Sequence, residues 1–262
     1  MLARVAAVVL AAAFVLSGCM TVGPENPAFA IDRAEAKADL ERMKAEPAEL
    51  DRPVVVLNGW RSPHVLGAAL KASVRDRTSG DDADFATISY TLSGSIPGAA
   101  AQAVRSVEGR WPSDDPERTV EVDVVAISMG GLVARLAAMP ADDRKRLNIR
   151  RLYTLNTPHQ GARLASWIAI DPASFAMKPG SAFLADLDAA DRGYELIAYT
   201  QLNDTWVGAT RAAPTGEQPI WARGTAVLSH FTIRSNPQIL SDLSRRLRGE
   251  PPIAEPSEPP SD

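Results

Sequence analysis

The segment Val120-Glu-Val-Asp-Val-Val-Ala-Ile-Ser128-Met-Gly-Gly131 decides the fold. Val120, Val122, Val124 and Val125 form a β-branched apolar run of strand length, and the residues that close it are a serine followed by two glycines. Such a run is expected for a strand buried in a sheet. The small residues after it permit a sharp turn, with a helix resuming over Leu132–Met139. The turn lifts one side chain, Ser128, clear of the backbone.

The rest of the chain repeats this alternation. Strands are predicted over Val54–Leu57, Phe85–Tyr90, Val120–Ile127 and Arg151–Leu155, with weaker candidates at Tyr194–Thr200 and Ala226–Leu228. Helices are predicted over Val65–Val74, Ala99–Val107, Leu132–Met139 and Pro237–Leu247. Strands alternating with helices imply an α/β fold with a mostly parallel sheet covered on both faces. Ligands of such sheets bind beyond the carboxyl ends of the strands.

The ends of the chain read differently. Arg4, the unbroken apolar run Val5–Leu16 and the sequence Leu16-Ser17-Gly18-Cys19 have the form of a secretory signal, too short for a membrane span. Residues 1–18 are therefore assigned to a signal peptide. Residues 19–50 are assigned to a spacer, with a short helix over Ile31–Lys44, and 51–247 to the folded domain. The proline-rich segment 248–262 reads as a disordered tail.

Cys19 is the single cysteine, which excludes an intramolecular disulfide and any cysteine-built zinc site. The net charge of −4 argues against a nucleic-acid partner, which would require a basic face. No cofactor or metal is implied.

Three segments resemble the α/β-hydrolases, specifically small bacterial lipases and the PGAP1-like lipase group. They are Val54-Val-Val-Leu-Asn-Gly-Trp60, Ala126-Ile-Ser-Met-Gly-Gly131 and Leu155-Asn-Thr-Pro-His-Gln-Gly161. The second resembles the nucleophile elbow, with Ala126 where that pattern usually has glycine. Leu-Ser-Gly-Cys resembles the lipobox of bacterial lipoproteins. That resemblance implies an acylated Cys19 and a chain tethered in the bacterial cell envelope, on the periplasmic side of the outer membrane.

The hydrolase resemblance implies a minimal α/β-hydrolase without a large cap domain, acting on an ester or lipid substrate. Ser128 is then the nucleophile. The chain holds three histidines, and the family order of serine, acid, histidine removes His64. His159 would need its acid at Asp142 or Asp143, at the far end of the helix leaving the elbow. His230 is the remaining base. Among the acids between them, Asp204 follows the strand Tyr194–Thr200 and is the expected partner, with Asp171 as the substitute.

The backbone amides of Met129 and Trp60 are the expected oxyanion donors; Asn58-Gly59 stands where the family usually has His-Gly. His159 is expected to hold a loop. Arg61 and His64 are candidates for the pocket wall, and Trp206, Trp221 and Phe231 either line an acyl pocket or belong to the core. The alternatives left open are an acyltransferase or thioesterase with the same triad, and a non-catalytic envelope protein that kept the fold.

Overall fold

The computed structural model describes residues 29–90, 94–167, 169–225 and 228–261. The signal segment, Cys19 and residues 226–227 lie outside the described residues. Six strands form one sheet: β1 (Val54–Leu57), β2 (Phe85–Ile88), β3 (Val122–Ile127), β4 (Ile149–Leu155), β5 (Glu195–Gln201) and β6 (Ile220–Ala222). The order is β2-β1-β3-β4-β5-β6, and every neighbouring pair is parallel.

Strands β1 and β3 are buried along their whole length because both sheet faces are covered. Alternation along β1 sorts Val55 and Leu57 into one core and Val54 and Val56 into the other. Against the first core pack α3 (Ile96–Arg110) and α4 (Met129–Ala138). Against the second pack α1 (Arg33–Ala45), α2 (His64–Arg75) and α9 (Pro237–Leu247). Between β4 and β5 lie three short helices: α5 (Arg163–Trp167), α6 (Pro172–Ala176) and α7 (Ala182–Ala189). A last short helix, α8 (Ser229–Thr232), precedes α9. Among the described residues there is no large cap domain, and no helix is long and apolar enough to cross a membrane.

The structure differs from the sequence reading at both ends of the domain. The expected short helix over Ile31–Lys44 is present as α1, but it is packed on α9 instead of lying in a spacer. Its Ala36, Leu40 and Met43 form an i, i+4, i+7 stripe and are buried. Asp39 fixes the contact by accepting from Arg245 Nε at 2.7 Å and from Ser241 Oγ at 2.6 Å. Burial raises the Asp39 pKa, but the hydrogen bonds from Arg245, Ser241 and Arg42 outweigh it and hold the carboxyl at about 2.

The expected disordered tail is also attached, at least at its centre. Buried Asp242 on α9 accepts the backbone N–H groups of Ile253 at 2.7 Å and Ala254 at 3.1 Å. It also accepts from Tyr199 Oη and Arg246 Nε, so one carboxylate ties sheet, helix and tail together. Strand β6 is Ile220–Ala222; of the candidate Ala226–Leu228 only Leu228 is described, and it lies in a turn.

Candidate active site

The elbow is built by strand β3 running straight into α4. Ser128 stands between them at φ 52°, ψ −125°, a backbone region that non-glycine residues rarely occupy. The surroundings hold it there. Its N–H donates to Leu155 O at 2.8 Å, and its carbonyl accepts from Gly131 N at 3.1 Å and Thr157 Oγ1 at 2.8 Å. Strain of this kind persists only when neighbours over-determine the conformation, and it concentrates at functional sites.

The glycines behind the elbow are required by close approach. A Cβ on Gly130 would sit 2.7 Å from both Leu57 O and Asn58 O, and one on Gly131 would sit 2.3 Å from Thr157 Oγ1. The end of β1 therefore lies directly against the first turn of α4. Gly59, in the loop that follows β1, approaches Ser128 itself: a Cβ there would meet Ser128 Cβ at 3.3 Å. As the first helical residue, Met129 has an N–H without an intrahelical acceptor.

His230 comes from α8 and Asp204 from the turn after β5. His230 Nδ1 lies 2.9 Å from Asp204 Oδ2, with both residues buried. The other oxygen, Oδ1, accepts the backbone N–H groups of Trp206 at 2.8 Å and Val207 at 3.1 Å. The carboxylate is thus fixed by its own turn and offers one oxygen to the imidazole. Trp206 stacks on the His230 ring at 5.1 Å and 11°, and Phe231 meets the ring edge-on. These contacts set the plane of the ring as well as its partner.

Ser128 and His230 open on one cavity of about 290 Å³. Gly59 and Trp60 line it from the β1 loop. Pro158, Ala162, Leu164, Ala165 and Met177 line it from the segment after β4, and Trp206, Val207 and Phe231 from the acid and histidine loops. Its wall is mainly apolar. In the same chain segments Trp167, Ile170, Phe175 and Leu228 are exposed.

The remaining sequence candidates are placed as follows. Asp171 is away from His230: it caps α6, accepting Ser174 N at 2.8 Å, and accepts from Trp60 Nε1 at 3.0 Å and Arg61 Nε at 3.2 Å. It joins the roof segment to the β1 loop, a role that sequence spacing did not suggest. Arg61 lines the cavity, whereas His64 starts α2 on the exposed surface and does not. Trp221 is core, packed with Leu202 and Ala209.

His159 is fully buried, with Nδ1 at 3.0 Å from Arg135 Nη1 and Nε2 at 3.1 Å from Thr154 Oγ1. Because Arg135 can only donate, Nδ1 accepts and Nε2 carries the proton. Burial first, and then the charges of Arg135 and Arg192, hold its pKa well below 6.5. His159 is a neutral strut for the Thr157-Pro158 turn. Among the described residues no cluster of histidine, cysteine and carboxylate side chains could hold a metal ion.

No protein-family model matches the sequence, and no curated protein matches it. The structure, however, is similar to solved structures. The mature lipase BlEst2 of Bacillus licheniformis is 15% identical, with a TM-score of 0.54 over 78% of this chain and 94% of that one. The metagenomic carboxyl esterase MGS0156 is 12% identical, with a TM-score of 0.52 over 86% and 96%. This protein has the α/β-hydrolase fold. Lipase B of Aspergillus fumigatus gives the same result, at 11% identity and a TM-score of 0.53 over 88% of this chain and 61% of that chain. In the α/β-hydrolase frame, the elbow, the acid turn and the histidine helix all fall at the carboxyl end of the sheet.

Proposed function

We propose that this protein is a serine hydrolase of carboxylic esters, a lipase or esterase, working through an acyl-enzyme. The observation that carries the reading is the joint arrangement of strained Ser128 and the Asp204–His230 pair on one apolar cavity. A serine hydroxyl attacks an ester only when a base takes its proton. With Asp204 accepting from Nδ1–H, the His230 Nε2 lone pair is the base. The alkoxide that forms on attack is held by backbone donors, Met129 N–H at the start of α4 and the Trp60 amide in the β1 loop. His230 then returns the proton to the departing alcohol, and water releases the acyl group by the same steps in reverse.

The apolar wall of the cavity favours a substrate with an acyl chain over a small polar ester. We further propose that Cys19 is acylated and holds the enzyme at the periplasmic face of a bacterial outer membrane. Because α1 packs on the domain, residues 33–45 are part of the folded body and do not serve as spacer.

The test is a series of p-nitrophenyl esters of increasing chain length, with membrane fractionation of wild type and Cys19→Ser. Rising kcat/KM from acetate to longer chains is expected, with release of Cys19→Ser from the membrane fraction at undiminished ester hydrolysis. Activity confined to acetate would contradict the acyl-chain reading, and membrane retention of Cys19→Ser would contradict the anchor.

A further inference from the structure

A second cavity, of about 460 Å³, lies at the opposite end of the sheet. Its wall is formed where β4 and β5 begin, by Leu147, Asn148 and Ile149 and by Gly193 and Tyr194, and where α4 ends. The seven-residue length of β4 separates it from the Ser128 end by roughly 20 Å. It is therefore distinct from the catalytic cavity.

Four arginines face it: Arg118, Arg135, Arg146 and Arg192. In a chain of net charge −4 this concentration is against the trend. Arg118 and Arg146 are bridged as parallel neighbours, which sets two like charges side by side. Among the described residues neither guanidinium is within ion-pair distance of a carboxylate, and Arg118 acts on Asp115 only at longer range. The only acid in the wall is the exposed Asp191.

The other two arginines are partly committed. Arg135 is almost fully buried and spends its Nη groups on His159, Leu187 O and Asp188, while among the described residues its Nε makes no well-formed hydrogen bond and the Tyr194 hydroxyl lies close to the guanidinium. Arg192 pairs through Nη2 with Glu217, and its buried Nη1 is likewise without a partner. Buried N–H groups left unpaired cost free energy, and such vacancies in a native fold call for a ligand or water. Of the last carbonyls of α4, those of Leu136 and Ala137 accept from Arg144, and Ala137 also from the Leu147 N–H.

We infer that this cavity binds a phosphate or phosphate-ester anion. Two unpaired guanidinium forks and two buried N–H donors match a tetrahedral dianion, which offers more acceptors than a carboxylate and accepts from several arginines at once. Arg118 and Arg146 supply the charge, Arg135 and Arg192 the fixed donors. The site does not depend on the catalytic reading, since it shares no wall residue with the Ser128 cavity.

The experiment is calorimetric titration of the whole protein with inorganic phosphate and with glycerol phosphate in a phosphate-free buffer. Arg118→Gln and Arg146→Gln, singly and together, are the comparison. Neither side chain makes a hydrogen bond or ion pair among the described residues, so thermal melting serves as the control and should change by no more than a degree or two.

Saturable binding weakened about tenfold or more by each substitution is expected, as for loss of a charge-assisted hydrogen bond. Co-sedimentation with phosphatidic acid and phosphatidylcholine vesicles separates the two sources of the phosphate. Arginine-dependent binding to phosphatidic acid alone assigns a lipid headgroup, and binding confined to the soluble anions assigns a free phosphate compound. Absence of any saturable binding, or affinity unchanged in the double variant, overturns the inference.

Discussion

Replacing Asp204 by Asn removes one charge and little else. The Asn carbonyl can still accept the Trp206 and Val207 N–H groups, now held at 2.8 and 3.1 Å, so the turn after β5 should survive. What changes is the group offered to His230 Nδ1 across 2.9 Å. With its carbonyl so engaged, the amide presents an N–H, so Nδ1 must accept and the ring proton moves to Nε2. The nitrogen that should take the Ser128 proton is then already protonated, and the imidazolium loses its buried counter-charge. The same change in another serine triad lowers kcat about 10⁴-fold, close to 5.4 kcal/mol of barrier at 1.36 kcal/mol per decade. Steady-state kinetics on a p-nitrophenyl ester should show that loss in kcat with KM nearly unchanged, in a variant that melts within a few degrees of wild type. A fall in kcat of less than tenfold would refute the assignment of Asp204 as the partner that sets the tautomer.

Three further outcomes follow from the geometry. His159 is neutral in the fold and titrates near 6.5 when unfolded, so the unfolded chain binds the extra proton first and stability is lost as pH falls below 6.5. Denaturant titrations should show about 1.4 kcal/mol less stability at pH 5.5 than at pH 7.5 from this group, a difference that His159→Gln removes. Gly130→Ala should fail to fold or melt far below wild type, because its Cβ has only 2.7 Å to two backbone oxygens; normal melting would contradict the close packing of β1 on α4. Asp171→Ala frees Trp60 and Arg61 and uncaps α6. A loss of about 1 kcal/mol in stability should accompany a fall in kcat/KM smaller than that of Asp204→Asn, and unchanged kinetics would show that the tie to Trp60 is idle.

What the sequence disclosed is what local physics controls. Strands β1 and β3 are buried on both faces and β4 and β5 over their last residues, so their apolar runs survive as contiguous sequence signals. The elbow is legible because glycine at 130 and 131 has a steric reason. Asp204 is legible from its place after a strand.

The rest depends on contacts between residues far apart in the chain. Strand β6 is only Ile-Trp-Ala, too short to show a period. The stripe Ala36, Leu40, Met43 is diluted by the Glu, Lys and Asp around it, so α1 reads as a solvated spacer until α9 is placed beside it. The tail's attachment rests on buried Asp242 together with backbone bonds that pair Ile253 with Ala30 and Ser257 with Pro219, contacts that leave no local sequence pattern. The Asp171–Trp60 bond spans 111 positions and joins two loops, for which no sequence period exists.

The central claim is that Ser128 is an activated nucleophile. Reaction of the folded protein with a fluorophosphonate probe, followed by peptide mass spectrometry, tests it most directly. One phosphonyl group on Ser128 is expected, absent from Ser128→Ala and strongly slowed in His230→Ala. Labelling that persists in Ser128→Ala, or a folded wild-type protein that takes up no probe, would contradict the account.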